Sequence, residues 1–117
     1  MARVLVLDDD WSVVRILQHQ LERDGHETSC CIDALDALAK LERVEFRIIF
    51  TDWHMPGFSG LDVLTVVQQK FPRVRRVLVT AAPNEPEVRE ALRDGLVDAL
   101  LEKPWGRMDL WRVMQGL

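Results

Sequence analysis

The sequence lacks any apolar run approaching the roughly 20 residues of a membrane span, and it has no internal repeat or low-complexity segment. No membrane span is therefore expected, and the balance of apolar and charged residues argues for an ordinary soluble globular protein. Cysteine is scarce. Cys30 and Cys31 are adjacent, so no pair has the spacing of a metal knuckle or a redox motif, and both are read as reduced strand residues, consistent with a cytoplasmic location. His19, His26 and His54 are scattered singly, which argues against a histidine metal site. Positive charge is not in excess: 15 Lys and Arg against 19 Asp and Glu give a net charge of −4. The chain as a whole therefore has no general pull toward nucleic acid. Met1-Ala2-Arg3 lead straight into an apolar run, so no signal peptide is expected.

What is present is enough for one domain. A chain of 117 residues, 48% apolar and 29% charged, can bury a single core without disulfides or structural metal. The stretch FRIIFTDWHMPGFSG, Phe46 to Gly60, organises the rest. Phe46 to Phe50, with only Arg47 polar, reads as a strand covered on both faces, because such a strand loses the alternation of a half-exposed one. Asp52 follows at its carboxyl end, where His54-Met55-Pro56-Gly57 turns the chain away. Three further apolar runs end the same way. Val4 to Leu7 ends in Asp8-Asp9-Asp10, Val77 to Val79 in Thr80, and Leu100-Leu101 in Glu102-Lys103-Pro104. In parallel strands these ends would converge where open sheets bind ligands. Carboxylates brought together there repel one another unless a cation sits among them, and hard oxygen donors suit Mg²⁺.

Helical periodicity fills the gaps between the runs. A first strand over Arg3 to Leu7 is followed by a helix from Trp11 to Arg23, capped by Asp10, with Val13, Val14, Leu17 and Leu21 inward and Asp24-Gly25 closing it. A short strand over His26 to Ile32 precedes a helix from Asp33, with Asp36 placed as in a capping box. Ser59 and Asp62 repeat that pattern for a third helix bearing Leu61, Leu64, Val67 and Phe71, stopped by Pro72. A strand over Arg75 to Thr80 leads to a helix opened by Asn84 and Pro86, with Val88, Ala91 and Leu92 inward. A strand over Val97 to Leu101 and a helix from about Met108, using Leu110, Trp111 and Met114, complete the chain. Five strands alternating with five helices imply right-handed crossovers and an α/β fold with a parallel sheet between helix layers. Arg73, Arg75 and Arg76 lie at the pole opposite the proposed site and read as a solvated rim. Trp11, Trp53 and Trp105 each follow a site stretch and read as apolar cover for its rim.

The kinds of residue, their order and their placement at strand ends resemble the receiver domain of two-component response regulators, over nearly the whole chain. The resemblance implies a flavodoxin-like, doubly wound sheet in the order 2-1-3-4-5 over residues 1–117 as one domain. It implies that Asp52 is the phospho-acceptor, that Asp9 binds Mg²⁺ directly and Asp8 through water, and that the backbone carbonyl of His54 is a further ligand. Lys103, before Pro104, would contact the phosphoryl group, with the peptide bond between them often cis in the family. Thr80 would hydrogen-bond the phosphoryl group. The implied partners are a sensor histidine kinase or phosphotransfer protein, and an output domain or effector on the face of the fourth helix, fifth strand and fifth helix. No enzymatic turnover beyond its own phosphorylation and dephosphorylation is implied, and no membrane or direct nucleic-acid contact. One position departs from the pattern: the aromatic residue usual three before the site Lys is Leu100 here, and the chain has no Tyr.

Two other readings compete. Val4-Leu-Val-Leu-Asp8-Asp9-Asp10 also resembles the first motif of the haloacid-dehalogenase phosphatases, which would make Asp8 the nucleophile of a hydrolase. Against it, the further acidic motif and the longer chain of those enzymes are missing, and Asp52 has no role. A receiver-like module that binds partners without phosphorylation is the third reading, and an intact Asp8, Asp9, Asp52, Thr80 and Lys103 argues against it.

Overall fold

A computed structural model describes residues 1–55 and 57–116. Pro56, expected to turn the chain after Asp52, and Leu117 lie outside the described residues. The strands are β1 (Arg3–Leu7), β2 (Glu27–Cys31), β3 (Ile48–Asp52), β4 (Arg75–Thr80) and β5 (Ala99–Glu102). The helices are α1 (Trp11–Arg23), α2 (Ala34–Arg43), α3 (Gly60–Lys70), α4 (Pro86–Arg93) and α5 (Arg107–Gln115). All strand pairs are parallel, in the order β2-β1-β3-β4-β5. The chain therefore reverses its direction of winding beside β1 and β3, which leaves a crevice at their carboxyl ends.

Alternate strand residues serve the two faces, as the two-residue period demands. Leu5, Leu7 and Ile49 join Ala37, Leu41, Leu64, Val67, Val88 and Ala91 of α2, α3 and α4. Val4, Val6, Ile48, Phe50, Val77 and Val79 join Val14, Leu17, Leu21, Leu110, Val113 and Met114 of α1 and α5. β1, β3 and β4 are buried on both faces, which explains their unbroken apolar runs. Glycine with positive φ closes α1 at Gly25 and α4 at Gly95, as expected.

Several expected boundaries shift. β3 begins two residues later than the apolar run, because Phe46 enters the core before ladder pairing starts and Val4 pairs with Ile48. Asp52 is consequently the last strand residue, opposite Val79. β5 starts at Ala99, since the Val97 amide is used by the carbonyl of Ala91 at the end of α4, and it runs on to Glu102. β2 loses His26 and Ile32. No capping box forms at α2: Asp33 accepts from the Leu35 amide at 2.7 Å, and Asp36 pairs with Lys40 at 2.7 Å instead. The box at α3 forms, with Ser59 and Asp62 exchanging bonds of 3.1 Å. At α4 the cap position is Glu85 rather than Asn84, with no side-chain bond, and Leu92 is only half-buried. α5 starts at Arg107 and turns Trp111 outward, its inward places going to Leu110, Val113 and Met114.

Two side chains sit deeper than expected. Trp53 is a core residue rather than rim cover, packed in the α2–α3–α4 cluster. Arg76 is not part of a solvated rim. It is buried, and its guanidinium donates to the carbonyls of Leu96 at 2.9 Å, Gly95 at 3.2 Å and Val74 at 3.3 Å.

Candidate functional site

The crevice at the carboxyl ends of β1, β3 and β5 gathers the acidic residues marked out by the sequence. Carboxylate oxygens of Asp8, Asp9 and Asp52 lie within 4.8 Å of one another. Asp8 follows β1 and is 2% exposed, Asp9 beside it is exposed, and Asp52 is half-buried. Lys103, just after β5, reaches across with its Nζ 3.0 Å from Asp52 Oδ1 and 3.3 Å from Asp8 Oδ2. The Lys103-Pro104 peptide bond is cis.

Charge balance in this crevice is unfavourable. At an effective dielectric constant near 20, two unit charges ~4.8 Å apart repel by about 3 kcal/mol. One ammonium offsets part of that, and three carboxylates leave an excess of negative charge. Asp8 shows the strain. Burial pushes its carboxyl pKa up, the Asp10 N–H bond at 2.9 Å opposes that, the Asp52 charge adds to it and Lys103 again opposes, with a net upward shift. For Lys103 burial acts downward, but the hydrogen bond to Asp52 and the charges of Asp8 and Asp52 outweigh it, and its pKa rises. The ammonium is thus held charged. A compact set of hard oxygen donors with surplus negative charge fits a divalent cation such as Mg²⁺.

Thr80, the last residue of β4, is buried one position beyond the register partner of Asp52. Its Oγ accepts from the Ala82 N–H at 3.0 Å, and its carbonyl accepts from the Lys103 N–H at 2.9 Å. The hydroxyl proton makes no bond to the acidic cluster. His54 is exposed, its ring 4.1 Å from that of Trp53 at an interplanar angle of 31°. Asp10 caps α1 through Ser12, at 3.0 Å from its amide and 2.6 Å from its hydroxyl, which lowers its pKa and keeps it out of the cluster. Of the rim tryptophans, Trp11 is exposed and Trp105 is anchored by a 2.7 Å bond from Nε1 to Gln20.

Sequence reasoning missed Gly60. A Cβ there would lie 1.8 Å from the carbonyl oxygen of Asp52 and 2.8 Å from its carbonyl carbon, and the Gly60 amide donates to the Trp53 carbonyl at 2.8 Å. Only glycine lets the start of α3 press against the backbone of Asp52 and fix the end of β3. The available signal was a glycine at the first helical position after a good cap, where a better helix former would be the default.

The pattern that defines the response regulator receiver domain matches residues 4–115. The transcriptional regulatory protein CitT of Halalkalibacterium halodurans is 36% identical over 106 residues, covering 86% of this chain and 45% of CitT. The chain thus spans less than half the length of that relative. A chemotaxis protein CheY homolog of Campylobacter jejuni is 33% identical over 109 residues, covering 88% of this chain and 82% of its own. Among solved structures, response regulator protein TrrA of Thermotoga maritima, in complex with Mg²⁺ and BeF, superposes with a TM-score of 0.86 at 26% identity, covering 99% of this chain and 98% of that one.

Proposed function

The chain belongs to the response regulator receiver domain family, and from that premise we propose that it receives a phosphoryl group on Asp52, in an Mg²⁺-dependent transfer from the phosphohistidine of a sensor kinase or phosphotransfer protein. The observation that carries the reading is the reach of Lys103 to both Asp52 and Asp8. An Asp52 oxygen attacks phosphorus, the P–N bond to the histidine breaks, and the leaving imidazole keeps the bonding pair. Lys103, held charged beside the attacking oxygen, meets the incoming anion. Asp9, Asp52 and the His54 backbone carbonyl, with Asp8 through water, would hold Mg²⁺, which offsets the charge of two anions brought together. A hydroxyl that accepts one bond can still donate another. Thr80, already accepting from Ala82, therefore has its proton for a phosphoryl oxygen, and its movement would draw the segment after β4 inward.

The reaction modifies the domain itself and turns over no separate substrate. The phosphatase reading finds little support. Both oxygens of Asp8 are engaged, one by the Asp10 N–H and one by Lys103, and its side chain is buried. The modified surface would signal through α4, β5 and α5 to an output domain or a separate effector.

The test is incubation with Mg²⁺ and a small acyl phosphate, trapping of the mixed anhydride and mass spectrometry of the peptides. Label on Asp52, absent in Asp52→Asn, is the expected result. Label on Asp8, or undiminished label in Asp52→Asn, overturns the proposal.

A further inference from the structure

At the pole opposite Asp52 the molecule carries a second charged concavity, a cleft of about 950 Å³ between the carboxyl ends of α2 and α3 and the amino ends of β3 and β4. Seven cations line it against three carboxylates, an excess of four positive charges in a chain whose net charge is −4.

Three of the cations are already occupied. Arg3 pairs with Glu27 at 3.1 Å, Lys70 with Glu42 at 3.6 Å, and Arg76 is spent on backbone carbonyls beside Asp98. Arg43, Arg47, Arg73 and Arg75 have no carboxylate within 4.0 Å among the described residues, and Glu45 is the one lining acid left to balance them. The buried Nε of Arg75 has no hydrogen-bond partner among the described residues. The arginines are also forced together: the Arg47 N–H donates to the Arg3 carbonyl and the Arg75 N–H to the Arg47 carbonyl, each at 2.9 Å, so arginine stands at the first residue of β1 and β4 and directly before β3 between them.

Helix dipoles explain part of this charge but not all. The carboxyl ends of α2, α3 and α5 border the cleft, and each presents about half a negative charge, roughly 1.5 together. That accounts for Arg43 in the last turn of α2, Lys70 of α3 being already paired with Glu42. It leaves Arg47, Arg73 and Arg75, which lie beyond the helices, against the single carboxylate of Glu45.

We propose that this cleft binds a small phosphate-bearing polyanion. Planar guanidinium forks match phosphate oxygens in pairs. The volume falls within the usual range for small-ligand sites, which are concave as this cleft is. Half-buried Phe71 and exposed Val44 and Pro72 supply an apolar wall beside the cations.

The 117-residue chain, labelled with ¹⁵N, is titrated with tripolyphosphate and separately with ATP in the presence of EDTA, which keeps divalent cations from the acidic pole. Saturable shifts at residues 43–47 and 70–76 are expected. Binding of both probes assigns the phosphate chain as the ligand, and of ATP alone a nucleotide. Arg47→Gln with Arg73→Gln should weaken binding about tenfold or more. The single variants serve if the pair does not fold by circular dichroism. Shifts confined to the surroundings of Asp52 and Lys103, an unchanged affinity in the variants, or no saturation at millimolar probe overturns the proposal. So does binding of an acidic peptide where neither probe binds, which would make the cleft a protein-docking surface.

Discussion

The two ends of the sheet solve opposite electrostatic problems by different means. At the carboxyl end of β3, Asp52, Asp8 and Asp9 crowd together with one cross-strand cation, Lys103, set among them. At the amino end, arginines crowd instead, and the most buried of them is neutralised by backbone: Arg76 donates to three carbonyls and lies 3.8 Å from Asp98. Carbonyl dipoles cannot leave, so Arg76 is a permanent part of the fold. Among the described residues the acidic end has no such backbone cradle beyond the Asp10 N–H, and it keeps surplus charge that an exchangeable cation can offset. Functional sites hold unresolved charge in this way, at a cost in stability that the rest of the fold offsets.

The sharpest way to break the comparison is at Gly60, where the acidic end depends on close backbone packing. Gly60→Ala should destabilise the domain by about 3 kcal/mol, because its Cβ meets backbone that cannot yield cheaply. Denaturant unfolding measures it, and a change under ~0.5 kcal/mol would show that α3 slides freely past Asp52.

Next comes the cation that bridges the carboxylates. Lys103→Met should slow phosphorylation by a small acyl phosphate about a hundredfold, the loss expected for one pre-set charge in a site. Trapping the labelled anhydride over time gives the rate. An unchanged rate would mean that Lys103 serves only the resting fold.

Relief of repulsion should be gentler. Asp52→Asn is expected to stabilise the metal-free domain by about 0.5 to 2 kcal/mol and to reduce the protection that Mg²⁺ gives, both read from thermal midpoints with and without the ion. A wild-type midpoint that ignores Mg²⁺ counts against a metal site.

The smallest effect lies at the other pole. His26 Nδ1 accepts the Ala2 N–H at 3.0 Å, and burial first, then the N-terminal ammonium, hold its pKa below the ordinary 6.5. The folded form takes up this proton at lower pH than the unfolded chain. Its stabilising contribution is therefore complete above pH 6.5 and lost as pH falls through the lowered folded value. His26→Gln should flatten the decline in stability below that pH, and an equally steep decline would assign it to other groups.

Response at Leu100 offers a further contrast within the site's own half. It packs half-buried on β5 opposite Leu78 of β4. With no ring to swing inward, it should couple weakly to Thr80 when a phosphate mimic binds, leaving a graded change led by the segment after β4.

Much of this was legible in the sequence, because its strongest signals are local. Apolar runs fully covered by helices must be central strands, and a carboxylate, hydroxyl or ammonium directly after each must emerge at one edge if the strands are parallel. Helix caps at Asp10, Asp33 and Ser59 also follow from neighbours within three residues. The sequence by itself thereby determined the alternation of strands and helices and the residues that share the acidic crevice. Tertiary structure alone decided the depth and pairing of particular side chains. Phe46 belongs to the core but not to β3, since ladder register depends on β1. Trp53 turns inward into the core shared by α2, α3 and α4, Arg76 is buried because carbonyls just past the end of α4 reach it, and Gly60 is required because the Asp52 carbonyl lies where a Cβ would be. Each depends on atoms brought together from distant parts of the chain, and no local pattern encodes such a distance.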